Sequence, residues 1–162
     1  MFFVVALGAA LGACEARREP TLPRVTLGKD HCAQCDMVIE DAGSIALVVG
    51  TQGPRFYDDP GCLLDDRREH PDIAARPAFV HDADARGPEA WIPLDRAWFV
   101  LSPSIRTPMG SELEAHASRE RAIARAREVG GEAIGPDAVA QRRVEWRRAR
   151  YGSSGNPGNT HG

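Results

Sequence analysis

Lysine is nearly missing from this chain. Lys29 is the only one in 162 residues, and arginine supplies the remaining positive side chains. With 23 acidic residues against 20 basic ones the net charge is -3, so no overall field draws the chain to nucleic acid. Long apolar runs are missing too. Residues 2–11 form the best one, which has the length of a signal-peptide core and is too short to cross a bilayer. There is no Gly-rich phosphate loop, no Ser nucleophile elbow and no His-Glu-x-x-His, which leaves the common hydrolase and nucleotide-binding classes without a signature. The carboxylate pairs Asp58-Asp59 and Asp65-Asp66 carry no mark of an acid and base working together, and they read as solvated surface. Cysteine is scarce, at four, and no second close Cys/His pair completes a structural zinc site.

The first residues read as an export signal. The uncharged run is followed by Leu11-Gly12-Ala13-Cys14, which resembles a bacterial lipobox, cut before Cys14 and lipidated on its thiol. The positively charged start of a signal is missing, so the true start is expected upstream. The plainer alternative is a short buried helix with an ordinary Cys. On the export reading, residues 1–13 are the signal peptide and 14–26 a charged, Pro-bearing linker, tethered to a membrane without spanning it. At the other end residues 141–162 read as a tail. Its last part is Gly, Ser, Asn and Pro without apolar periodicity, and it is expected to be disordered.

Between these ends the chain, 43% apolar overall, suits one globular body. Strand signals cover 44–49, 54–58 and 78–81, with a helix over 61–68 capped by Asp59 and opened by Pro60. Further on, 91–94 reads as a short edge strand because of Pro93, and 96–101 as a stronger one. A loop over 102–110 carries Met109. Ser111 with Glu114 reads as a capping box opening a long helix that Gly130-Gly131 stops, and 132–134 returns as a strand. The pattern strand, strand, helix, strand occurs twice. The expected fold is α+β: two small ββαβ-type units packed together, over 27–83 and 84–140, with a disordered C-terminal tail.

The densest reactive stretch is His31-Cys32-Ala33-Gln34-Cys35-Asp36-Met37. An imidazole, two thiols and a thioether lie within seven residues, and soft sulfur donors favour copper(I) over magnesium or calcium. If a strand begins there, Cys35 and Met37 leave the same face and one ion can touch both sulfurs. Three other readings stay open. Met37 can be core, Cys32 and Cys35 can form a disulfide, and Cys-x-x-Cys is also a redox motif. That motif usually opens a helix after a buried strand, whereas here a polar linker precedes it. Cys62 lies at a helix start, where a thiolate is favoured, but its plainer reading is a small buried residue. Met109 in Thr107-Pro108-Met109-Gly110 sits in a polar loop and is not evidently core. His70, His81 and His116 read as surface or cap residues.

Taken in order, four segments resemble the NosL family, lipoproteins linked to nitrous oxide reductase maturation. They are the lipobox ending at Cys14, Cys32 to Ile39 against a Cys-Gly-Met-x-Ile region, Phe56 to Cys62 against a Phe-Asp-Asp segment, and Trp98 to Gly110 followed by Gly130-Gly131. The match spans about residues 30–135 and departs from the family at Asp36, where Gly is common. The resemblance implies two ββαβ units and no catalytic turnover. It also implies copper(I) as cargo, held by Cys35, Met37 and Met109, with Cys32 and His31 as secondary candidates. It further implies a lipid anchor at the periplasmic face of a membrane, and nitrous oxide reductase with its membrane transporter complex as partners. A thiol-disulfide protein using Cys32 and Cys35, and a scaffold lipoprotein without metal, are the competing functions.

Overall fold

The computed structural model describes residues 22–87 and 90–152. The expected signal peptide, Cys14 and the tail beyond residue 152 lie outside the described residues. No helix among them is long and apolar enough to cross a membrane.

A buried run begins the first unit. Strand β1 (Ala46–Gly50) turns through Thr51-Gln52 into β2 (Gly53–Tyr57), with Gly50 opposite Gly53. Pro54 is tolerated because β2 is an edge strand, where a missing N–H costs no ladder bond. Helix α1 (Pro60–Glu69) follows, with Asp59 as its N-cap, as the sequence predicts. A single turn, α2 (Pro71–Ala74), leads into β3 (Ala78–His81), which pairs antiparallel with the other side of β1. Strand β4 (Trp91–Pro93) then closes this sheet in the order β2-β1-β3-β4, at an edge, as its proline requires. It therefore belongs to the first sheet and not to the second unit.

The second unit repeats the topology. Strands β5 (Trp98–Leu101), β6 (Leu113–His116) and β7 (Glu132–Ile134) form a sheet of order β6-β5-β7, and α3 (Arg119–Val129) joins the last two. The helix expected from Ser111 is thus a strand followed by a shorter helix. Leu113 and Ala115 point inward at period two and pair with β5. The true cap is Ser118, whose Oγ accepts from the Arg121 N–H. Gly130, in the left-handed region at φ 63, stops the helix as expected.

Helix α4 (Pro136–Tyr151) runs through the stretch assigned as tail. It packs Val139 into the core and lays Arg143 and Arg147 on the buried Asp65 carboxylate of α1. Its Trp146 indole donates to Glu112 in the second unit. One helix therefore clamps both units. A single parallel bridge, Asp82 to Ala115, also joins the sheets.

Several residues expected at the surface lie inside. Asp58, Asp59, Asp65 and Asp66 are all buried, each tied to named partners below or above. Tyr57, Arg55 and His70 all reach Asp66. His81 and His116 are buried as well, the latter held between Asp84 and Glu114, while His70 does cap α1. The end of the presumed linker also belongs to the body, since Val25 is buried and Leu22 packs against the core.

The two units pack closely at Gly61. A Cβ there would lie 2.5 Å from the Ser111 Cβ and 2.9 Å from the Arg143 guanidinium carbon. Gly61→Ala is expected to lower stability by about 1–3 kcal/mol through overpacking, read as a lower urea midpoint at unchanged slope. An unchanged midpoint would mean that the units do not pack tightly there.

Candidate metal centre

The Cys32–Cys35 segment is a folded loop, not a strand. The Cys32 N–H donates to the Met37 carbonyl and the Asp36 N–H to the Cys32 carbonyl, closing a turn on itself. Asp36 sits at φ 62, in the left-handed region that favours Gly and that Asp tolerates better than most residues. This accounts for a Gly being replaceable by Asp at that point. The turn brings His31 opposite Val38 in an isolated bridge. Cys35 and Met37 therefore do not share a strand face, contrary to the expectation from spacing. The loop is hung on β2 through the Ala33 N–H, which donates to the Phe56 carbonyl at 2.8 Å.

That attachment sets Cys35 over the end of β2. Its Sγ lies 3.6 and 3.8 Å from the two Asp58 carboxylate oxygens. Cys62, in the first turn of α1, completes the group. One ligand atom each from Cys32, Cys35, Asp58 and Cys62 lies within 4.8 Å of the others. All three described cysteines are free thiols. Cys32 is 2% and Cys62 5% exposed, and Asp58 is buried. Cys35 alone is half-buried, so it forms the mouth of the cluster.

The charges follow from this crowding. Hydrogen bonds from the Cys32 and Cys62 thiols, with one from the Met37 backbone N–H, hold the Cys35 thiol down at about 4. The same contacts, Cys32 first and then Cys35, push the Cys62 thiol far up, with burial adding to them. Burial, reinforced by a hydrogen bond with Cys32, pushes the Asp58 carboxyl up to about 7. Within this coupled group ionisation is favoured at Cys35 and opposed at Cys62.

The other sequence candidates lie at the margin. Met37 is 50% exposed and is not core. Its backbone N–H faces the Cys35 sulfur. Met109, 39% exposed, comes from the second unit. Its N–H donates to Asp59 Oδ2 at 3.2 Å, next in sequence to Asp58. Thr107 Oγ1 at 2.6 Å and the Ser111 N–H at 3.3 Å reach the same oxygen, while Asp59 Oδ1 accepts from the Gly61 N–H. His31 is exposed, with Nδ1 at 2.9 Å from the Asp36 carbonyl, and it does not belong to the four-residue cluster. The cluster thus unites Cys32 and Cys35 with Asp58 and Cys62. From sequence alone Asp58 is expected at the surface and Cys62 as a small buried residue, and the structure places both in the cluster. The signal for both was present in Asp58-Asp59-Pro60-Gly61-Cys62, a helix start that collects negative charge.

A second group, Asp82, Asp84 and His116, also lies within 4.8 Å. Its atoms are already engaged, because Arg121 grips Asp84, and Asp84 and Glu114 flank the two His116 nitrogens.

Cys35 should alkylate at a rate nearly flat from pH 6 to 8, because it is already ionised there. An ordinary thiol gains roughly tenfold per pH unit over that range. Peptide mapping by mass spectrometry after iodoacetamide pulses checks this, and a tenfold climb per unit at Cys35 would refute the thiolate.

Comparison with known proteins fits this arrangement. No curated protein matches the chain. Among solved structures, the copper chaperone NosL from Shewanella denitrificans has the same fold, with a TM-score of 0.60 at 18% identity over 76% of this chain and 99% of that one. The sequence model of the NosL family matches residues 24–144, which takes in both units and all four residues of the thiol cluster. The chain belongs to the NosL family.

Proposed function

We propose that this protein is a copper(I) chaperone, with Cys35 as its central ligand and the Met37 and Met109 thioethers completing the exposed side of the site. The observation that carries the reading is a half-exposed free cysteine, Cys35, placed at the mouth of a cluster of free thiols. The methionines add to it. Met normally fills gaps in cores, yet Met37 and Met109 are both exposed, one on the Cys35 loop and one on a loop tied to Asp59. Thiolate and thioether donors select copper(I). A solved structure of the same fold is that of a copper chaperone.

Such a site suits cargo. An open coordination shell lets a partner's thiolate, thioether or imidazole replace the ligands one at a time, and no turnover is needed. The Cys32-x-x-Cys35 pair lies in a turn and not at a helix start, which counts against a thioredoxin-like role. The Leu11-to-Cys14 lipobox supports a lipid anchor at the periplasmic face of a membrane. By family, the acceptor is nitrous oxide reductase, reached with its membrane transporter complex.

Two experiments test this reading. Anaerobic competition with a chromophoric copper(I) chelator should give one tightly bound ion per chain. Cys35→Ser is expected to weaken binding by about a hundredfold and Met109→Leu by about tenfold. Absence of binding by the reduced wild type would sink the copper reading. Separately, Cys14→Ser should move the protein from the membrane fraction to the soluble fraction of the producing cell, and retention at the membrane would discount the lipid anchor.

A further inference from the structure

The copper set described above uses one thiol, Cys35, yet the fold brings two more to the same place. Cys32 comes from the same loop and Cys62 from the first turn of α1, and the three sulfurs lie within 4.8 Å of one another. All three are free. Exposure divides them. Cys32 and Cys62 are buried, and among the described cysteines only Cys35 is open enough for a small solute to reach. One reachable thiol with protected thiols behind it is the arrangement in which a cysteine is oxidised and then resolved into a disulfide.

The surrounding fold keeps the three together. The Ala33 N–H donates to the Phe56 carbonyl of β2 at 2.8 Å, and Gln34 Nε2 donates to Glu69 Oε2, at the far end of α1, at 3.2 Å. The loop that carries Cys32 and Cys35 is thus tied to the strand before α1 and to α1 itself. Sulfurs within 4.8 Å need at most about 3 Å of travel, shared between two side chains, to reach a disulfide bond length. Thiols held this near act at an effective concentration that a second oxidant molecule in free solution does not match.

We propose that Cys35 is a modification site oxidised by hydrogen peroxide and resolved by Cys32 or Cys62, and that the disulfide switches copper(I) binding off until a thiol reductant restores it. The Cys35 sulfur attacks the peroxide and the O–O bond breaks. One oxygen stays on sulfur as a sulfenic acid, and the other leaves as water with the thiol proton. A buried thiol then attacks that sulfur. The S–S bond forms, the S–O bond breaks, and the hydroxyl leaves as water with the attacker's proton. Two thiols lose two electrons in all, and one peroxide becomes two waters. A sulfur bound in a disulfide offers no thiolate to an ion, which leaves only the Met37 and Met109 thioethers. The oxidation site stands on the thiol geometry, and only its effect on copper rests on the chaperone reading.

The test uses the full chain carrying Cys14→Ser, so that the thiols counted are those of the cluster. The reduced, metal-free protein is treated with equimolar hydrogen peroxide, alkylated and mapped by mass spectrometry without reduction. An intramolecular disulfide that includes Cys35 is expected. Copper(I) affinity, measured by chelator competition, should fall by about a hundredfold, as for Cys35→Ser, and return after dithiothreitol. With both Cys32→Ser and Cys62→Ser in place, Cys35 should pass on to sulfinic acid and dithiothreitol should no longer restore binding. Sulfinic acid at Cys35 of the protein with all three thiols, or a disulfide between Cys32 and Cys62 that leaves Cys35 free, would overturn the site. A Cys35 disulfide that leaves copper(I) affinity unchanged would overturn the switch. A Cys35 disulfide in a protein that takes no copper(I) when reduced would uphold the oxidation site while removing the chaperone reading.

Discussion

One carboxylate holds the molecule together where its two units meet. Asp59 is fully buried, and both of its oxygens are committed. Oδ1 caps α1 through the Gly61 N–H, and Oδ2 collects the Thr107 hydroxyl with the Met109 and Ser111 N–H groups. Removing it would strand the buried Gly61 and Ser111 N–H groups, at about 1–3 kcal/mol each. Both its neighbours depend on the same turn. Asp58 precedes it and Cys62 follows three residues on, so the geometry of the thiol cluster and the position of the Met109 loop are set by a single side chain. Gly61 then allows the second unit to come within van der Waals contact.

The clamp on this joint is α4. Asp65 receives the Arg143 guanidinium at 2.7 Å and a second contact from Arg147. Such a buried pair gives little net stability against an apolar replacement, but losing one partner alone typically costs about 3–5 kcal/mol. Its contribution here is registration. It fixes α1 against α4, while the Trp146 indole and Arg150 fix Glu112 of the second unit on the same helix. The N-terminus of α1, and with it Cys62, cannot drift relative to the loop that carries Met109.

Much of this was legible in residues, and what was not has a physical reason. The two-fold strand, strand, helix, strand pattern follows from apolar runs, Asp59-Pro60 and Gly130, all of which act locally. Pro93 marked an edge strand, though not the sheet it joins, because pairing partners are set by tertiary contacts. Ser111-x-x-Glu114 matched a capping box by chance of spacing, and the inward pair Leu113 and Ala115 decided for a strand. Helix α4 escapes a pattern reading because its apolar face is narrow, with Val139 its one buried apolar residue. Of the thiol cluster, Cys32 and Cys35 stood out by spacing. Asp58 and Cys62 did not, since their closeness to that pair arises only when the loop hangs from β2. Paired aspartates also look like surface until the donors that bury them are known.

The division between buried thiols and exposed thioethers gives direction to the chemistry. A ligand exchange proceeds from the side an incoming group can reach, and among the three described thiols only Cys35 is open to solvent. Cys32 and Cys62 can influence an ion without ever being the last group to release it. Their hydrogen bonds favour the ionised form of the Cys35 thiol. That preorganisation has a consequence for loading. A thiol whose ionised form is favoured gives up its proton to an arriving ion more readily than an ordinary thiol. The half-exposed position of Cys35 is therefore as much a part of the site as its sulfur. Deeper burial would place the ion beyond an acceptor's reach, and full exposure would remove the contacts that keep the thiolate formed.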